Sequence, residues 1–431
     1  MTRGRTAAWV TTGTVVAMLS LSGCSGSAGS SPTEAGGDPS AACKISFLTF
    51  QSPALSEKFW KDQVTAVQKN YPKLTVDIQY TPGLDRQAYA SQLLAAGNLP
   101  DVTWDVSLPD FVKAGALLPY TESDVAKDGA PNSVGKINGK HYSLSVGSQP
   151  QPMIFYNKDT FSSLGLKVPT TYQEFADVAS KLKAAGKTPL LVGGGSDPWT
   201  STMLLNGMIN TDVNAKNPNW MRDRYKDKVH FKDADFKAAV TKWQKLVTGG
   251  LINDDALSVS YAQLIAKFTN ADGAMYPMGA WAASTEASFD IGVFPLPTND
   301  GKKVVLGNLP AQRMYISAKT KCPAQARAFS VALATSPAFA GAFFKSDGLI
   351  PSLAGWSVPA GTSALQTATY KIFADKSVEF VPPFGSEGVD SAPAGFNDVF
   401  DKGAQAVMSG GSVDDFLAKL DQTFDDLNTS K

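Results

Sequence analysis

The sequence predicts an α/β protein of two lobes of similar size, each a mainly parallel sheet flanked by helices. Three observations carry this. Segments of period two and period 3.6 alternate along the chain, the pattern that puts strands in one layer and helices on its faces. The series begins near residue 44 and begins again after about residue 153. The length, 431 residues, suits two to three domains at roughly 100–200 residues each.

The elements follow in order. Residues 44–50 form a β-rich run through Ile45, Phe47, Leu48 and Phe50. Pro53 is expected to open a helix whose Trp60, Val64, Val67 and Tyr71 fall on one face, and Pro72 ends it. Leu74, Val76, Ile78 and Tyr80 then alternate with Thr75, Asp77 and Gln79, a strand with two unlike faces. Residues 86–96 read as a helix stopped by Gly97 and Pro100, and 102–106 as a strand. After the restart, 153–156 is a strand. Thr171-x-x-Glu174 is a capping box ahead of Phe175, Ala179 and Leu182. Residues 189–192 read as a strand running into Gly193-Gly194-Gly195. Phe236, Val240, Trp243 and Val247 mark a helix, and Ser260-x-x-Gln263 caps another. Strands are expected at 273–276 and 291–294, then a helix over 329–344 broken near Ser336-Pro337. Val413, Phe416, Leu417, Leu420, Phe424 and Leu427 end the chain on an amphipathic helix.

Composition narrows the function. Lys+Arg and Asp+Glu both number 39, whereas a protein held by nucleic-acid phosphates carries a basic excess. No nucleic-acid partner is expected. Two histidines without ligand spacing and three cysteines leave little material for a His/Cys metal site, and no cofactor is expected. The N-terminus reads as a targeting signal: Arg3 and Arg5, then an uncharged stretch ending in Leu21-Ser22-Gly23-Cys24. That stretch is short of the roughly 20 residues a membrane helix needs. Its end resembles a lipobox, the bacterial lipoprotein signal, with cleavage before Cys24 and lipid on that residue. Residues 1–23 are thus a signal peptide. Residues 24–42, rich in Gly, Ser, Ala and Pro, are a flexible tether. The folded part then stands outside the cell, anchored by lipid to the outer face of the cytoplasmic membrane. Losing Arg3 and Arg5 leaves a net charge of about −2. Cys43 and Cys322 remain as an even pair in an oxidising compartment, which suggests a disulfide; two separate buried thiols are the alternative.

Several segments together resemble the extracytoplasmic solute-binding proteins of ABC importers, in the carbohydrate group that includes maltodextrin-binding protein. They are Asn98-Leu99-Pro100-Asp101-Val102, Ile137-Asn138-Gly139-Lys140-His141-Tyr142, and Tyr156-Asn157-Lys158-Asp159 with Phe161, Gly165-Leu166, Pro169-Thr170 and Glu174-Phe175. The fourth runs from Phe268 to Ala274-Met275-Tyr276-Pro277-Met278-Gly279-Ala280-Trp281. Tyr172 stands where the family usually has Trp, and Asp272 precedes the Gly where many members differ. The resemblance implies two lobes joined by hinge strands that close on a solute. It places lobe 1 at 43–150 and 308–356, and lobe 2 at 151–307 and 357–431. It also implies a monomer that catalyses nothing and hands a carbohydrate, of two or more rings, to membrane permease subunits.

A sugar offers C–H faces to aromatic rings and hydroxyls to in-plane polar groups. Trp104-Asp105 closes a predicted strand, where ligands of open α/β sheets bind. Asp197 and Trp199 follow the triple glycine, which lacks the Lys-Ser/Thr of a phosphate loop and reads as a tight turn. Trp281 follows Gly279, where the missing side chain would let a ligand approach backbone N–H groups. Gln51 and Ser52 end the first strand, Gln149 and Gln151 lie at the first crossing, and Arg313 lies past the second. Phe384, Glu387 and Phe396 belong to a late loop that could cover the cleft. Trp60 and Trp243 read as core, Trp220 stays undecided, and His141 and His230 read as surface or hairpin residues. Two other classes stay open on sequence alone. A glycoside hydrolase would need two carboxylates roughly 5–10 Å apart, which Asp105 and Asp197 could supply. A binding protein for a polyamine or peptide is the other.

Overall fold

A computed structural model describes residues 37–83, 86–104, 108–128, 135–308, 310–384, 392–393 and 395–428. The signal stretch, Cys24, Asp105 and Glu387 lie outside the described residues, as do the side chains of 310–313. The described chain folds into two lobes around separate buried cores. One core draws on residues from Ile45 to Val146 and from Met314 to Leu349. The other draws on residues from Ile154 to Leu296 and from Phe384 to Phe424.

In the first lobe, Leu74–Tyr80, Cys43–Thr49, Val102–Trp104, Pro310–Ser317 and Leu117–Leu118 lie side by side in that order. The first three are parallel, with Cys43 opposite Leu74 and Phe47 opposite Val102. Pro310–Ser317 comes from far along the chain and runs antiparallel to three neighbours, including Leu144–Ser148. The helix Glu57–Gln68 starts later than Pro53 suggests. Ser56 is its cap, accepting a hydrogen bond from the Phe59 amide at 3.2 Å. Its Trp60, Val64 and Val67 are buried, as the periodicity requires. The late helical stretch breaks between Pro323–Ala334 and Pro337–Asp347, which meet at 60° where Pro337 cannot continue the first helix. Cys43 and Cys322 form a disulfide, their Cα atoms 6.4 Å apart, and tie the first strand to the start of Pro323–Ala334.

The second lobe corrects the expected strand direction. Met153–Asn157 lies between Ile291–Pro295 and Met275–Met278 and is antiparallel to both. Residues 189–192 do not form a strand. Only Leu190 makes bridges, parallel to Ile252 and Met275, and the Val192 amide donates to the Asn253 side chain at 2.7 Å in place of a strand partner. A small parallel pair, Val304–Gly307 with Val378–Val381, completes the strands. Both predicted capping boxes form, at Thr171 and Ser260. Trp220 is buried with Phe231 and Phe236, their rings 4.9 and 5.1 Å from its own. The terminal helix Val413–Leu427 spans the residues its apolar pattern marks. Arg224, 1% exposed, reaches it through Asp425 at 2.7 Å.

The segments linking the lobes run side by side. The Ser148 amide donates to the Ile350 carbonyl at 2.7 Å and the Ile350 amide returns the bond at 2.9 Å. Pro310 lies opposite Ser148, and the Gln151 amide donates to the Gly307 carbonyl at 2.8 Å. Among the described residues, no single helix is long and apolar enough to cross a membrane.

Candidate functional site

Three partly exposed rings gather in the second lobe. Trp199 opens the helix Trp199–Ile209, Tyr261 opens Tyr261–Thr269, and Trp281 lies in the 3₁₀ turn Ala280–Ser284. The Trp199 ring centre is 5.1 Å from Tyr261 and 6.1 Å from Trp281. The local sequence sets each one. Pro198 precedes the first helix, the Ser260–Gln263 capping box fixes the second, and Gly279 caps the turn. Gly279 acts differently from the expectation. A Cβ there would sit 1.9 Å from the Trp281 ring, so the glycine makes room for that ring rather than for a ligand.

Asp197 holds this group in register. Its Oδ2 accepts from the Tyr261 amide and from Ser196 Oγ, both at 2.8 Å, so it serves an amide of a helix's first turn that has no partner within the helix. Asp401, on the helix Phe396–Met408, meets the helix that Trp199 opens. Its Oδ1 accepts from Thr202 Oγ1 at 2.7 Å. Burial, then the nearby Asp398, pushes its carboxyl up to about 6 against the pull of Thr202.

The first lobe and the crossing contribute a second polar group. Gln149 Nε2 donates to Asp347 Oδ2 at 2.9 Å and to its carbonyl at 3.3 Å. Asp347 is buried, and this pushes its carboxyl up to about 7, with the Gln149 bond and the Arg86 charge pulling down. Arg86 lies over the Phe50 ring at 4.3 Å. Burial also raises the Tyr261 phenol well above its ordinary value, and the Asp347 charge adds to this. The next residue, Gly348, has φ +60°, and a Cβ there would lie 2.3 Å from the Ala280 carbonyl oxygen. Asp347 therefore lies where first-lobe helix, crossing segment and second-lobe turn meet.

The expected residues divide. Asp197, Trp199, Gly279 and Trp281 come together, and Gln149 joins them through Asp347. Trp104 does not. It is 1% exposed, with Trp60 at 5.0 Å and Phe343 stacked at 6.0 Å, so its expected role as an open platform is corrected: the helix Pro337–Asp347 covers it. Ser52 Oγ accepts from the Ala54 and Leu55 amides and shapes its own turn, while Gln51 is exposed. Gln151 is partly buried in the crossing, its carbonyl accepting from Asn210 Nδ2 at 3.4 Å. Arg313 pairs with Ser145 through the strand backbone. Phe384 and Phe396 are corrected from cover to core, 8% and 0% exposed. His141 lies in the expected hairpin but is buried, its Nε2 3.3 Å from Glu122 Oε2. Sequence reasoning missed Tyr261, Asp347 and Asp401. Tyr261 was within reach, since the capping box it follows was legible. Asp347 carried a fainter signal, an acid at a helix C-terminus, where the macrodipole disfavours it.

In this two-lobed α/β body, the Trp281 turn and the Asp347 carboxyl lie beside the segments that link the two cores. The chain belongs to the bacterial extracellular solute-binding proteins, whose family pattern matches residues 49–340. It is 26% identical over 388 residues to the "Multiple sugar-binding protein" of Streptococcus mutans, covering 85% of this chain and 89% of that one. Its fold is that of a chitin oligosaccharide binding protein, with a TM-score of 0.76 and 22% identity over 90% of this chain and 99% of the other. The GacH receptor of Streptomyces glaucescens, solved unliganded and with acarbose, gives a TM-score of 0.72 and 20% identity over 90% and 98%.

Proposed function

We propose that this chain is the sugar-capturing component of an ABC importer. It is held by lipid on Cys24, takes a saccharide of two or more rings between its lobes and passes it unchanged to permease subunits. The observation that carries the sugar reading is the group of three partly exposed rings, Trp199, Tyr261 and Trp281, with Asp197 bonded to the Tyr261 amide and Asp401 to Thr202 of the helix that Trp199 opens. Rings of this kind pack on the C–H faces of a sugar, and carboxylates accept from its hydroxyls. The name of the Streptococcus relative agrees. Asp197 has an evident non-catalytic task, since one oxygen already holds two donors, which favours binding over hydrolysis. The crossings fall, on this reading, at the segments around Ser148–Pro152, Gly307–Pro310 and beyond Ile350, so closure turns on them.

The test is a thermal unfolding screen of the purified mature protein with raffinose, maltotriose, chitobiose and xylobiose, against amino acids, spermidine and metal ions. A ligand at 100 times its dissociation constant stabilises by about 2.7 kcal/mol. Stabilisation by one saccharide class, recovered intact afterwards, supports the proposal. A response to spermidine or an amino acid alone, or recovery of cleaved sugar, overturns it. Lipid on Cys24 is read separately by the mass of the membrane-extracted protein, which Cys24→Ala returns to the unmodified value.

A further inference from the structure

Asp347 is the last residue of the helix Pro337–Asp347, whose Phe339 and Phe343 are buried in the first-lobe core. Its neighbour Gly348 presses against Ala280 and Trp281 of the second lobe. Its carboxyl is bonded to Gln149 of the crossing segment at 2.9 Å. The residue is 8% exposed, and the side chain that bonds it is a neutral amide rather than a counter-ion. A buried carboxylate without a bonded cation is costly, and a buried neutral carboxyl much less so. Among the described residues, the titratable groups that face it are Arg86 of the first lobe and Tyr261 of the second. The turn Ala280–Ser284 and the segment 148–152 contain no charged residue. The Arg86 charge favours ionisation, yet burial outweighs it and holds the carboxyl near neutrality.

We propose that Asp347 is a proton-linked latch between the lobes, its carboxyl taking up a proton when they close on a solute and releasing it as they part. Parting the second-lobe turn from the helix end admits water and restores the carboxylate. Closing removes the water and favours the acid form. Solute is then held more tightly on the acid side of neutrality and more loosely on the alkaline side. Asp347 acts here through the lobe junction and is a positioning residue. The proposal rests on reading the cleft as a sugar site, and its test has one part that needs no sugar.

The test follows the intrinsic fluorescence of the mature protein, in which Trp199 and Trp281 flank the junction, from acid to alkaline pH without ligand. It also measures the affinity for raffinose, maltotriose and chitobiose over the same range. The wild type should show a step near neutrality that Asp347→Asn abolishes. Affinity for any sugar bound should fall by up to about tenfold per pH unit between the ordinary carboxyl range, about pH 4, and the step, the limit for one linked proton, level off above it, and stay flat in Asp347→Asn. Gln149→Leu removes a bond that favours the charged form and should move the step to higher pH, which keeps the test open if Asp347→Asn folds poorly. A step that survives in Asp347→Asn overturns the latch, as does no step or a pH-independent affinity. If none of the sugars binds while the step behaves as described, the sugar reading fails and the latch stands.

Discussion

Each lobe gathers aromatic rings, and the first seals Trp104 while the second leaves Trp199 and Trp281 partly open. In the first lobe Trp104 has Trp60, Phe339 and Phe343 around it at 5.0 to 6.1 Å and is sealed. Trp60 even spends its ring N–H inside, on the Phe50 carbonyl at 2.7 Å. In the second lobe Trp199, Tyr261 and Trp281 have comparable spacings but remain partly exposed. The difference comes from what lies across them. A long helix from a distant chain segment covers Trp104, whereas the second-lobe rings stand at helix starts and in a short turn, with no such cover among the described residues. An aromatic at a strand end becomes a platform only when nothing is packed over it.

Breaking the sealed cluster should give the largest effect. Trp104→Ala is expected to cost about 3–5 kcal/mol of stability, read by denaturant unfolding, with little change in affinity of the folded fraction. Next comes the bridge that pins the same lobe across 279 residues of sequence. Cys322→Ser should cost roughly 2–5 kcal/mol, again without a specific loss of binding. The open cluster should respond the other way. Trp281→Ala is expected to weaken sugar binding by roughly 2 kcal/mol, some thirtyfold, measured by calorimetry, while unfolding shifts little. If Trp104→Ala abolished binding and Trp281→Ala only destabilised, the comparison would be reversed.

The smallest effect depends on pH. Burial lifts the Asp347 carboxyl from its ordinary 3.8 to about 7. The folded state therefore binds the proton more tightly than the unfolded state. Stability from this group is fully present below about pH 4 and is lost as pH rises through about 7. Asp347→Asn, neutral throughout, should raise the melting temperature by roughly a few degrees at pH 8 and hardly at all at pH 4. Equal shifts at both values would assign the gain to packing instead.

Much of this was legible where the physics is local. The alternation over Leu74–Tyr80 and the apolar stripe of Val413–Leu427 mark those elements to the residue, because period and burial coincide. The capping boxes at Thr171 and Ser260 were equally readable. Strand direction in the second lobe was not, since Met153–Asn157 finds both its partners more than a hundred residues later. The site followed the same division. Trp199 and Trp281 could be singled out by their turns. The burial of Trp104 depends on Phe343, and the bond from Gln149 to Asp347 spans 198 residues. Such meetings leave no periodic trace in the chain.

The most direct measurement compares the thermal unfolding response to saccharides of the wild type and Trp281→Ala at neutral pH. The expected result is that at least one saccharide class stabilises the wild type and that Trp281→Ala, itself melting near the wild-type temperature, loses most of that response. No response to any saccharide, or a response that Trp281→Ala retains in full, would contradict sugar capture on the second-lobe rings.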